Sequence, residues 1–148
     1  MTTNKAVYAE DCAYWQTSQK APDTWIEDAK TLIRNVGGTV LADGYANEAG
    51  GRAAYMIRFR IVNDTFAAFE IVLQSRSGNA LAARRQAATT LYHEIKMRCV
   101  AAKRRGARWA FLQYLMLPDG RTAGEASAPI IMEAFPKMLV QQEANHAT

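Results

Sequence analysis

Between Tyr55 and Leu73 two runs of alternating apolar and polar residues flank Asn63-Asp64-Thr65. Strands of this kind on a short loop form a hairpin, and its register decides which side chains reach the core. A three-residue loop pairs Val62 with Phe66. It also sets Phe59 against Phe69, Ile57 against Ile71 and Tyr55 against Leu73 on one apolar face. The other face then pairs Arg58 with Glu70 and Met56 with Val72, with Arg60 beside Ala68. An isolated hairpin is marginal in water, so the apolar face needs a cover.

Helical periodicity supplies one. Thr24-Trp25-Ile26-Glu27 has the spacing of a capping box, and Trp25, Ala29, Leu32, Ile33 and Val36 follow at helical intervals up to the Gly37-Gly38 stop. Thr39 to Tyr45 reads as a strand. A long helix is predicted from Ala80 to Arg105, with Leu81, Ala88, Leu91, Tyr92, Ile95, Cys99 and Ala102 inward and Arg85, Thr89, Lys96 and Lys103 on a polar flank. Trp109 to Leu117 is apolar on both alternations, as in a buried central strand, and Pro118-Asp119-Gly120 turns the chain. Ser127 caps a last helix that Pro136 breaks or kinks. The resulting order is α-β-β-β-α-β-α: one α+β domain over residues 22–148, with a mainly antiparallel sheet and helices covering one face. Residues 1–21 are an arm or a short helix.

The 148 residues are 49% hydrophobic and 22% charged, enough to build one core without disulfides or metal. Cys12 and Cys99 are the only cysteines, with no CxxC and no matched histidine, which excludes zinc-site and disulfide-scaffold patterns. The first residues lack the basic and apolar blocks of a signal peptide, and no run approaches the ~18 apolar residues of a membrane span. A cytoplasmic protein without a membrane partner is expected. Gly37-Gly38 and Gly50-Gly51 are not followed by GK[ST], so no nucleotide loop or other cofactor is expected. His93 and Glu94 diverge as helix neighbours, His146 lies in a polar tail, and Glu70 lacks the Glu-x-Lys pattern of a metal nuclease. No catalytic set can be assembled, and the chain reads as non-enzymatic.

Charge is the remaining signal. Residues 76–108 hold nine Lys/Arg and one acid, Glu94, whereas the whole chain is only +4. Such asymmetry fits an anionic partner, nucleic acid first among them. The candidate phosphate contacts are Arg76, Arg84, Arg85, Lys96, Lys103, Arg104 and Arg105, with Arg58 and Arg60 as further contacts on the sheet face. Cations at the end of a helix also serve stability alone, so a solvated helix face is the competing explanation.

The sequence Leu91-Tyr92-His93-Glu94-Ile95-Lys96, then Phe111-Leu112, then Leu117-Pro118-Asp119-Gly120-Arg121-Thr122 with Gly124-Glu125, resembles a family of small uncharacterised proteins carried by bacteriophages and integrated mobile elements. The likeness extends over roughly residues 24–140. It implies a mobile-element origin and a role in phage DNA metabolism or regulation. Where that family has an acidic segment, this chain has Lys103-Arg104-Arg105 and Arg108. The element order is also similar to that of double-stranded-RNA-binding domains, whose second helix opens much like Ala83-Arg84-Arg85-Gln86-Ala87-Ala88, and to the core of phage single-strand-annealing proteins. The expected function is therefore a nucleic-acid-binding accessory protein of low sequence specificity. The alternative is a protein-interaction or homo-oligomeric module with no nucleic-acid ligand.

Overall fold

A computed structural model describes residues 6–12, 15–16, 19–47 and 53–129. Gly50-Gly51, Pro136 and His146 lie outside the described residues. Helix α1 (Pro22–Asn35) begins two residues before the expected cap. Pro22 takes the first position, where its fixed φ suits the helix and its missing N–H costs nothing. Thr24 is thus inside the first turn, and Glu27 accepts from Lys30 Nζ at 2.6 Å instead of closing a capping box. The far end stops as expected: Gly37 has φ +89°, and the Gly37 and Gly38 amides donate to Arg34 and Ile33 carbonyls.

Strands β1 (Thr39–Asn47), β2 (Ala53–Ile61) and β3 (Asp64–Ile71) form one antiparallel sheet in that order. The hairpin exists, but its register differs from the expected one. Ile61 pairs with Asp64 across a two-residue loop, and Phe59 with Phe66, Ile57 with Ala68, Tyr55 with Glu70 and Arg58 with Ala67. The expected Arg58–Glu70 pair is therefore absent, and the two residues lie on opposite faces. Phe66, rather than Phe69, enters the core. It stacks on Phe59 at 5.3 Å between centroids, and both meet Phe111, at 5.7 and 5.1 Å. Phe69 is not wasted on the other face, since it packs against the buried Tyr114 at 6.2 Å. With apolar partners available on both faces of β3, alternation alone could not choose between them.

Helix α2 (Ala80–Arg105) has the expected bounds. Asn79 Oδ1 accepts from the Leu81 and Ala82 amides at 3.0 and 3.2 Å, and Gly106 (φ +88°) ends it. Leu91, Ile95 and Cys99 face the core as expected, but Leu81 is exposed and Thr89 is fully buried, with its hydroxyl donating to the Arg85 carbonyl at 2.6 Å. Helix α1 runs beside α2 in the same direction. Trp25 meets Tyr92 at 4.9 Å, and seven residues on in both helices Cys99 Sγ lies 3.7 Å from the Leu32 carbonyl. Together the two helices close one sheet face over Tyr55, Ile57, Phe59 and Ile61, while Met56, Arg58 and Arg60 point away. Buried Lys30 ties α1 to β1 through Asp43 at 3.0 Å.

The expected strand at Trp109–Leu117 does not form. Residues Ala107–Ala110 are a short helix, α3, and Leu112–Tyr114 a 3₁₀ turn, with only single bridges from Leu115 to Phe66 and from Met116 to Thr122. Burial of Ala110, Phe111 and Tyr114 follows helical spacing, and Arg98 caps the turn by donating to the Ala110 carbonyl at 3.2 Å and to Gln113 Oε1 at 2.9 Å. An apolar run without a period is equally compatible with either structure. The Pro118-Asp119-Gly120 turn is present, with Leu117 and Arg121 bonded across it. The following helix (123–129) is capped by Thr122 rather than Ser127. Thr122 Oγ1 accepts from the Glu125 amide and Glu125 Oε1 from the Thr122 amide, a capping box.

The described part of the N-terminal arm docks on the loop after β3. The Ala9 amide donates to the Gln74 carbonyl, and Trp15 Nε1 to the Ala9 carbonyl at 2.8 Å.

Candidate nucleic-acid interface

The nine cations singled out from the sequence divide among four environments. Arg76 is already engaged: its guanidinium pairs with Asp11 at 3.0 Å and lies 4.9 Å over the Tyr8 ring, while its amide binds Glu10. Arg84 turns toward the sheet, donating from Nε to the Tyr55 hydroxyl at 2.9 Å, with the Tyr45 ring 4.6 Å away. The hydrogen bond to Tyr55 raises the Arg84 pKa, while burial raises that of Tyr55. Arg84 therefore braces the β1–β2 layer against α2 through Tyr55 and Tyr45. Arg58 and Arg60 stand exposed on the sheet face that α2 does not cover, so they belong to a different surface.

The remainder lie along α2. At 100° per residue, Arg85, Lys96 and Lys103 fall within ~20° of one line, spread over ~27 Å of helix. Arg85 is half-buried, with Nε lacking a hydrogen-bond partner. Lys96, Lys103, Arg104 and Arg105 are exposed, and none joins an ion pair among the described residues. By contrast Arg98 and Arg108, from the same basic segment, are neutralised by Glu94 at 3.3 Å and Asp64 at 2.8 Å. Within residues 76–108 the exposed charge without ion-pair partners among the described residues is thus concentrated in the last three turns of α2, while Arg58 and Arg60 are likewise exposed without ion pairs on the other sheet face.

Two further residues lie at this end: the sequence does not single out Arg34, and for Trp109 it favours core packing over base stacking. Arg34 is exposed in the last turn of α1, and parallel packing of the helices sets that turn beside the last turn of α2. Trp109, expected inside a strand, is 57% exposed, with Arg105 Cζ 6.0 Å from its ring centroid. Its neighbour Arg108 forks onto Asp64 with bonds of 2.8 and 2.9 Å, which ties α3 to the hairpin turn. The free Arg34 and the four α2 cations could have been paired from the two helix ends only if the helix direction had been known. Nothing local marks Trp109 as exposed.

Among the described residues the other titratable groups do not assemble a reaction centre. Cys99 is buried, and desolvation raises its thiol to about 11; Cys12 is also raised, by burial and then by Glu70. Both shifts oppose a thiolate nucleophile. His93 sits against Trp25 and Tyr92, and burial followed by Lys96 lowers its pKa. Glu94 turns instead to Arg98. Glu70, on the helix-covered side of β3, is raised to about 7 by burial and then by Glu94. No group of three or more His, Cys, Asp or Glu suited to a metal occurs among the described residues, and none of their helices is long and apolar enough to cross a membrane. Comparison with protein-family models, curated proteins and solved structures finds no match. What the site can do chemically is attract a polyanion and bond its oxygens through lysine and arginine N–H groups.

Proposed function

We propose that this chain is a non-enzymatic nucleic-acid-binding accessory protein of the kind carried by phages and mobile elements. It grips phosphate with little sequence specificity. The observation that carries this reading is the set Lys96, Lys103, Arg104 and Arg105: four exposed cations in the last three turns of α2 with no ion-pair partner among the described residues, beside Arg34. A helix terminus gains only a few tenths of a kcal/mol to about 1 kcal/mol from nearby cations, and the effect is confined to the last turn. Lys96 lies two turns further back, where the dipole gives no reason for it.

The test is fluorescence anisotropy of the full chain with labelled DNA and RNA against a Lys103→Glu/Arg104→Glu variant whose melting temperature is measured alongside. Both sites are exposed, so the fold should persist with a melting temperature lowered only by the unfavourable carboxylates at the helix C-terminus, while binding is strongly reduced. Equal binding by the two proteins would refute the assignment.

One observation favours the homo-oligomeric alternative. Strand β1, nine residues long, is a sheet edge with no outer partner strand among the described residues, and Leu41 and Tyr45 are exposed along it. Such an edge can pair with a second copy. Light scattering checks this directly: a stable dimer that binds no nucleic acid would favour the alternative.

A further inference from the structure

We propose that Trp109 is a stacking platform for an unpaired base, so that the ligand at the end of α2 is single-stranded nucleic acid. This inference rests on the phosphate-binding reading above and narrows it to a substrate class. The three tryptophans differ sharply. Trp15 is buried with its indole N–H bonded, and Trp25 is half-buried between Tyr92, His93 and the Lys20 ammonium. Trp109 alone turns outward, 57% exposed. Among the described residues it is the most exposed aromatic side chain, ahead of Tyr45 at 44%.

Its backbone is nevertheless held firmly. Ala110 and Phe111 beside it are in the core, and Arg108 is forked to Asp64. Gly106, with φ +88°, breaks α2 and turns the chain so that Trp109 comes back beside Arg105. At 6.0 Å from the ring centroid, Arg105 leaves the indole accessible while standing close enough to meet a phosphate flanking a stacked base. Lys103 and Arg104 lie in the same last turn of α2, about 200° and 100° around the helix from Arg105. Aromatic surface next to unpaired cations is the combination that binds single strands, whose bases expose a π-face that a duplex keeps stacked inside.

The test uses the full-length chain at low salt with four labelled probes: oligo-dT, oligo-rU, and a duplex DNA and a duplex RNA of the same length. Wild type should prefer the single strands. Trp109→Ala should weaken them by about ten-fold or more, as loss of base–aromatic stacking does, while leaving duplex binding nearly unchanged. Trp109→Phe should retain most single-strand affinity, and melting temperatures of both variants control for folding. The two single-stranded probes separate DNA from RNA as the source. Single-strand binding insensitive to Trp109→Ala, or a wild type that prefers duplex, overturns the stacking assignment and leaves the phosphate reading standing. A wild type that binds none of the four probes removes the phosphate reading and this inference together.

Discussion

Replacing Glu70 by glutamine should stabilise the fold at alkaline pH and not at acidic pH. The observed hairpin register puts Glu70 on the helix-covered side of the sheet, opposite Tyr55, where burial and Glu94 raise its carboxyl from 4.5 to about 7. In the unfolded chain the group ionises near 4.5, so between 4.5 and 7 the native state binds more protons than the unfolded state. Stability must then fall as pH rises through that window. Carried fully into folding, the displacement corresponds to ~3 kcal/mol. Glu70 keeps partial solvent contact, which reduces this to about 1–2 kcal/mol. Glutamine has the same shape and no charge. Urea unfolding of both proteins at pH 5, 6, 7 and 8 isolates the effect, because any constant cost of the amide cancels in the slope. Their stability difference should move by about 1–2 kcal/mol in favour of Glu70→Gln between pH 5 and pH 8. A difference that stays flat across pH, or that moves toward wild type, would refute both the buried carboxyl and the register that buries it.

Two further substitutions test the local geometry. Gly124→Ala would place a Cβ 2.8 Å from the Gln113 backbone carbonyl oxygen, so it should destabilise by roughly 1–3 kcal/mol and lower the melting temperature; an unchanged melting temperature would mean that the 123–129 helix does not seat against the 3₁₀ turn. Val62 is a β-branched residue at φ +58° in the hairpin loop, 83% exposed, and Val62→Gly should stabilise by about 0.5–1 kcal/mol once the entropy cost of glycine is subtracted, with denaturant midpoints as the readout and a loss of stability as the contrary result.

Local signals were legible where they were complete within a few residues. Asn79 and Gly106 bracket α2 at the expected positions, and Gly37-Gly38 end α1. The α+β class and the first three, antiparallel strands followed from the same periodicities, but the fourth strand expected at Trp109–Leu117 did not form. What escaped depended on distant partners. The β3 register turned on Phe111, about 45 residues beyond Phe66, completing an aromatic cluster in the core. The apolar run after Gly106 folded as a helix and a turn because Arg98, from α2, satisfies its carbonyl. The Thr122–Glu125 box is complete within four residues and so legible in the sequence, and it caps the helix ahead of Ser127 because Thr122 has a reciprocal partner three residues on. The candidate site divides in the same way. Charge density located α2, but which cations stay unpaired was decided by Tyr55, Asp11, Asp64 and Glu94, all but Glu94 remote in sequence from the cations they hold.

The most direct measurement is the affinity of the wild-type chain for a labelled single strand as salt is raised from 50 to 200 mM, repeated with Lys103→Glu/Arg104→Glu. Four phosphate contacts from Lys96, Lys103, Arg104 and Arg105 imply a loss of roughly fifty-fold over that range, and the double variant should show about half the logarithmic slope. Absence of binding at 50 mM, or binding that neither salt nor the double variant weakens, would contradict a phosphate-gripping helix end.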